Sequence, residues 1–106
     1  MQTVKVAKDF TRFPSGRYIR NGETSGEAFR ERFLVPAIRN GEKITIELDG
    51  TIGYGSSFLE EAFGGLVRSV RMKPEDLNQL MILVSDDMTL LDEIKGYIKD
   101  AAAALK

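Results

Sequence analysis

Two serines stand behind two glycines and a tyrosine in Gly53-Tyr54-Gly55-Ser56-Ser57, and an amphipathic run starts at Phe58. Glycine adopts positive φ freely and lets backbone approach a neighbour closely. A serine at the start of a helix meets a positively polarised end with unpaired N–H groups, where an anion or phosphoryl group is favoured. Ser57-Phe58-Leu59-Glu60 has capping-box spacing, which assigns Ser57 a structural duty. Ser56 lies just outside that box. Its hydroxyl is expected to be exposed beside the helix dipole, where an added phosphate is locally favourable. Ser56 is therefore the candidate phosphoacceptor. Asp49, Gly53, Tyr54, Gly55, Ser57, Phe58 and Arg17 are candidate contacts for a ligand or partner. Tyr54 either anchors a partner or fills the loop. Arg17, with Arg30 and Arg32, could grip an anion.

Asp9, Asp49, Asp86 and Asp87 fall near predicted strand ends, and converging carboxylates could hold magnesium. The structural alternative is preferred: Asp86 or Asp87 caps a helix and Asp49 supports a glycine turn. No metal or cofactor is assigned. The chain has no cysteine and no histidine, so disulfides, thiolate nucleophiles, Cys/His zinc sites and imidazole bases are excluded. Two likenesses are set aside. Thr51-Ile52-Gly53-Tyr54-Gly55 reads like a potassium-channel filter but lacks surrounding membrane helices. Gly50-x-x-Gly53-x-Gly55 is followed by no Lys-Ser/Thr pair, so it is no Walker loop.

The 106 residues suggest one domain, 1–106, and 42% apolar content with a net charge of −1 suits a globular chain. No face is strongly basic, so no nucleic-acid partner is expected. No apolar run approaches the ~20 residues that span a bilayer, so no membrane insertion is expected. The N-terminus has no leader-like apolar core, and the expected location is cytoplasmic.

The elements that must position the loop follow from periodicity. Residues 3–7 alternate as a strand. Phe13-Pro14-Ser15-Gly16 is a turn. Residues 17–19 read as a short strand closed by Asn21-Gly22. Thr24 and Glu27 form a capping box ahead of a helix through Phe29, Phe33, Leu34, Ala37 and Ile38. Pro36 is expected to kink that helix near its end, and Asn40-Gly41 stops it. Residues 44–48 alternate as a strand with one buried face. A second helix follows through Phe58, Leu59, Ala62, Phe63, Leu66, Val67 and Val70. Gly64-Gly65 inside it costs roughly 1 kcal/mol per glycine, which suggests that another backbone element approaches there. Pro74 opens a helical turn. Residues 80–84 form an apolar run expected of a central strand covered on both faces. A last helix carries Leu91, Ile94, Ile98, Ala101 and Leu105. The alternation implies an α/β fold: a small mixed or mostly parallel sheet of about four strands with three main helices and right-handed crossovers.

"SGEAFRERFLVPAI", "ITIELDG" and "GYGSSFLEEAFGGLVR" together resemble the bacterial STAS-like domain family of unknown function, over roughly residues 3–85. That family is similar in fold to STAS domains, which include anti-sigma factor antagonists and the cytoplasmic tails of sulfate transporters. On the antagonist pattern, Leu48-Asp49-Gly50 matches a strand end, Ser56 falls on the phosphorylated serine and Ser57 on the hydroxyl residue after it. Gly55 stands where the pattern has aspartate. The resemblance implies a non-enzymatic regulatory, protein-interaction module switched at Ser56 through a histidine-kinase-like ATPase. Its contact surface would be the loop and the exposed face of the second helix. The alternative is a small anion- or nucleotide-binding domain using the Gly53–Ser57 loop and Arg17. A metal-dependent hydrolase ranks last.

Overall fold

In a computed structural model that describes residues 2–105, three short segments form a parallel sheet in the order β1-β2-β3. They are β1 (Gln2–Lys5), β2 (Ile44–Glu47) and β3 (Met81–Val84). Val4, Ile46 and Leu83 lie side by side in register, as do Lys5, Glu47 and Val84. Parallel neighbours require crossover connections, and these carry the helices: α1 (residues 26–39), α2 (56–70) and α3 (Pro74–Leu80), with α4 (Met88–Ala104) after β3. The order advances in one direction without reversing. Right-handed crossovers then place the helices on the same face of the sheet. Burial follows this division. Val4, Ile44, Ile46 and Met81 face the core, while Thr3, Lys5, Thr45, Glu47, Ile82 and Val84 are exposed or half-buried on the other face.

The sheet has three strands rather than about four. Residues 17–19 do not pair as a strand because their backbone groups are engaged locally. Arg17 O accepts from Glu27 N–H, Ile19 N–H donates to the Glu27 carboxylate, and Tyr18 N–H donates to Asn21 Oδ1. A single 3-10 turn (Ile19–Asn21) results. The apolar run at 80–84 is an edge strand, not a central one, so Ile82 and Val84 stay 44% and 45% exposed. The central strand is β2. The first strand ends at Lys5, and Val6–Phe10 wind into a π turn closed by Thr11 N–H on Val6 O.

The first helix is capped by Ser25, whose hydroxyl accepts from Ala28 N–H, not by Thr24. Proline inside a helix lacks a donor and clashes with the carbonyl four residues back. Here a π turn over Arg30–Leu34, with Val35 N–H on Arg30 O, widens the helix just before Pro36. A third π turn, Glu60–Gly64, interrupts α2, with Gly65 N–H reaching Glu60 O. Helix α2 is the central element. It packs against both α1 and α4, and from Phe58 to Val67 every residue but Glu60 is buried. Phe10, Phe29, Phe33, Phe58 and Phe63 cluster in the core, with ring centroids from 5.3 to 6.5 Å apart.

The expected close approach at Gly64-Gly65 is by side chains, not backbone. A Cβ on Gly65 would meet the Arg30 guanidinium, and one on Gly64 the Glu60 carboxylate. The backbone approach occurs at Gly26, whose missing Cβ leaves room for Phe58 O and Ala62 N of α2.

Candidate functional site

The loop from Asp49 to Gly55 leaves the C-terminal end of β2 and is braced on three sides. Asp49 accepts from Ser85 Oγ at 2.6 Å and Asp86 N–H at 3.0 Å, tying it to the segment after β3. The Ser85 hydroxyl first, and the Asp86 amide second, hold the Asp49 carboxyl below its ordinary value. Gly50 turns the chain at φ 97°, a conformation that strains any residue with a Cβ. Ile52 N–H donates to Arg12 O at 2.9 Å, and Gly55 N–H reaches Pro14 O at 3.5 Å. Tyr54 donates its hydroxyl to Leu48 O at 2.7 Å and stacks beside Phe58, centroid to centroid 5.9 Å. Burial pushes its phenol up to about 12. The ring is half-buried and packs against the core.

Helix α2 starts at Ser56, with Gly55 as its N-cap and no side-chain cap. Ser57 therefore does not form the expected capping box. It lies inside the first turn, and Glu60, which would complete the box, pairs instead with Arg17 at 2.5 Å and Arg68 at 2.8 Å. Arg68 first, and Arg17 after it, hold the Glu60 carboxyl below its ordinary value. Ser56 and Ser57 are both exposed. Phe58 is fully buried, so its side chain cannot touch a partner. Nor does α2 offer an exposed face: apart from the two serines, only Arg68 is exposed, and it pairs with Glu60.

The three arginines do not converge on the loop. Arg17 is engaged by Glu60 and, at 3.2 Å, by Glu61. Arg30 is buried, with Nη1 on the Glu61 carboxylate at 2.5 Å and on the Glu61 carbonyl at 2.9 Å, and Nε on Glu31 at 2.8 Å. Arg32 lies over the Phe33 ring. Of the aspartates, Asp9 lies apart and accepts from Lys5 N–H, while Asp49 and Asp87 line one cavity and Asp87 caps α4 through Leu90 N–H. Among the described residues no group of three or more Asp, Glu, His or Cys is placed to hold a metal ion.

Two hollows flank the loop and share Ile52, Gly53 and Tyr54 as a common wall. One, of about 320 Å³, is lined further by Asp49, Thr51, Asp87, Thr89 and Glu93 and, among the described residues, by no lysine or arginine. The other, of about 440 Å³, is formed with Phe13, Pro14 and Ser15. Phe13 is 61% exposed and Ile52 71%. Sequence reading passed over both, treating Phe13 as turn and Ile52 as loop. The available signal was their type: large apolar residues inside glycine- and proline-marked segments that belong to no amphipathic stripe.

No helix among the described residues is long and apolar enough to cross a membrane. A family described as a STAS-like domain of unknown function matches residues 25–89, from the Ser25 cap of α1 to the first turn of α4. No curated protein and no solved structure matches the chain.

Proposed function

We propose that this chain, which belongs to the family of STAS-like domains of unknown function, is a non-enzymatic regulatory module that works in the cytoplasm, as one domain, by contact with a protein partner. Ser56 is its phosphoacceptor, and Asp49, Gly53, Tyr54, Gly55 and Ser57 build or flank the contact surface. The observation that carries this reading is the exposed Ser56 hydroxyl on the first turn of α2, behind a loop braced by the Ile52, Tyr54 and Asp49 hydrogen bonds. A braced loop presents a chemical change at Ser56 on a fixed surface. Phosphorylation adds about −1.5 to −2 charges at neutral pH. The i,i+4 spacing puts that charge on the side of Glu60, where it repels the carboxylate and competes for Arg17 and Arg68. Contact, not catalysis, is then what the modification alters. The natural modifying partner is an ATPase of the histidine-kinase-like type, as the resemblance implies.

The test mixes the purified protein with such ATPases and compares wild type, Ser56→Ala and Ser56→Glu by calorimetry, with intact mass read after incubation with ATP. A gain of one phosphoryl group lost in Ser56→Ala is expected, with affinity changed about tenfold or more in Ser56→Glu. Identical binding by all three, with no mass change, removes the reading. The alternative, an anion or nucleotide on the 53–57 loop, has less to work with: Arg17 is already engaged by two carboxylates, and the cavity beside the loop has an acidic lining.

A further inference from the structure

We propose that the molecular end around Ile52 docks a basic, apolar segment of a protein partner. A lysine or arginine of that segment enters the cavity bearing Asp49, Asp87 and Glu93, and its apolar neighbours cover Phe13 and Ile52. The proposal rests on the partner-binding reading above and supplies its chemistry.

Adjacent large apolar side chains left in water mark contact surfaces. Phe13 and Ile52 are 61% and 71% exposed and line one groove. They belong to two loops held alongside each other by the Ile52–Arg12 and Gly55–Pro14 backbone hydrogen bonds, so the patch is pre-formed. The wall formed by Ile52, Gly53 and Tyr54 separates that groove from the acidic cavity, so a segment crossing it meets both. The cavity's charge selects the occupant. Ionised carboxylates only accept hydrogen bonds, and while both Asp49 oxygens are engaged, Asp87 and Glu93 each use only one. Asp87 gives Oδ1 to Leu90 N–H, and Glu93 gives Oε2 to the Tyr97 hydroxyl. Among the described residues no cation lines the cavity. Complementary charge draws a cationic side chain and turns away acidic segments and nucleic acid. A small free cation would leave Phe13 and Ile52 uncovered.

The probe is a synthetic peptide in which lysine is flanked by leucine and phenylalanine, followed by fluorescence anisotropy at low and high salt. Controls replace lysine by glutamate, or the apolar flanks by serine, and spermidine serves as a free cation. The lysine–apolar peptide should bind, and affinity should fall about tenfold both in Asp87→Asn/Glu93→Gln and in Phe13→Ser/Ile52→Ser. Asparagine keeps the α4 cap, and circular dichroism checks the fold of each variant. The proposal is overturned by equal binding of the glutamate peptide, by wild-type affinity in both double variants, or by no binding at millimolar peptide. Spermidine binding as tightly as the peptide would make this a cation pocket instead. A dimer lost in Phe13→Ser/Ile52→Ser would make the occupant a second copy. Peptide binding unaffected by Ser56→Glu would remove the Ser56 switch and leave the docking surface standing. Ser56-dependent ATPase binding without peptide binding would do the reverse.

Discussion

Glu60 and Glu61 are neighbours of one chemical type, yet their surroundings set them opposite tasks. Glu60 is 26% exposed and bridges Arg17 and Arg68 at the surface. Glu61 is 11% exposed and faces the buried Arg30, whose guanidinium also takes the Glu61 carbonyl. An exposed ion pair contributes little, because water already solvates both charges. Removing one member of a buried pair leaves the other without compensation, at a cost of about 3–5 kcal/mol. Glu61→Leu is therefore expected to lose about 3 kcal/mol, because Arg30 keeps Glu31, and Glu60→Leu about 1 kcal/mol or less. Urea unfolding of the two variants checks this, and equal losses would count against it. Sequence showed two adjacent glutamates with helical neighbours. It did not show which one pointed inward, because the π turn over Glu60–Gly64 shifts the angular position of each side chain.

Between elements, glycine decides where helices touch. Gly26 at the start of α1 lies against the backbone of α2 at Phe58 and Ala62, and an added methyl has nowhere to go unless the helices separate. Gly96 inside α4 has open space around it. Gly26→Ala should cost about 1–3 kcal/mol, as overpacking does. Gly96→Ala should gain about 0.5–1 kcal/mol, because alanine restricts the unfolded chain and suits a helix. Thermal or urea denaturation of the pair gives opposite signs if α1 and α2 cross as described. The central position of α2 overturns the exposed face that amphipathic spacing implied for it. Its run of apolar and small residues is longer than a one-sided stripe needs, and that excess is what burial between α1, α4 and the sheet requires. The loop ahead of it was legible as a special segment from its glycines. The exposed Phe13–Ile52 pair was not, because the two residues are far apart in sequence and are brought to one groove by the Ile52–Arg12 and Gly55–Pro14 hydrogen bonds.

At the scale of the molecule, one-directional strand order leaves one sheet face without helices. Ile46 on the covered face has no exposure, while Ile82 on the other is 44% exposed. Ile46→Ala should cost about 2–5 kcal/mol through lost burial and the cavity left behind. Ile82→Thr should change stability by no more than about 0.5 kcal/mol, since threonine suits a strand and little packing is lost. Equal costs, read by urea unfolding, would mean that the second face is covered in solution.

The sequence by itself determined the α/β class, the three true strands, the helices and the ends most of them keep, because apolar periodicity and turn residues act over a few neighbouring positions. An aspartate cap at 86 or 87, which the structure gives to Asp87, and Gly50 in a turn were readable for the same reason. Tertiary structure decided the rest. Whether residues 80–84 lay in the middle or at the edge depended on strand order, and whether residues 17–19 paired depended on what α1 offered their backbone groups. Apart from Glu31 beside Arg30, the partners of Arg17 and Arg30 lie some 30 to 45 positions away in sequence, by the separations of 31, 43 and 44 in their hydrogen bonds to Glu61 and Glu60. Charges and backbone donors choose partners by distance in space, and no local pattern in the chain encodes that distance.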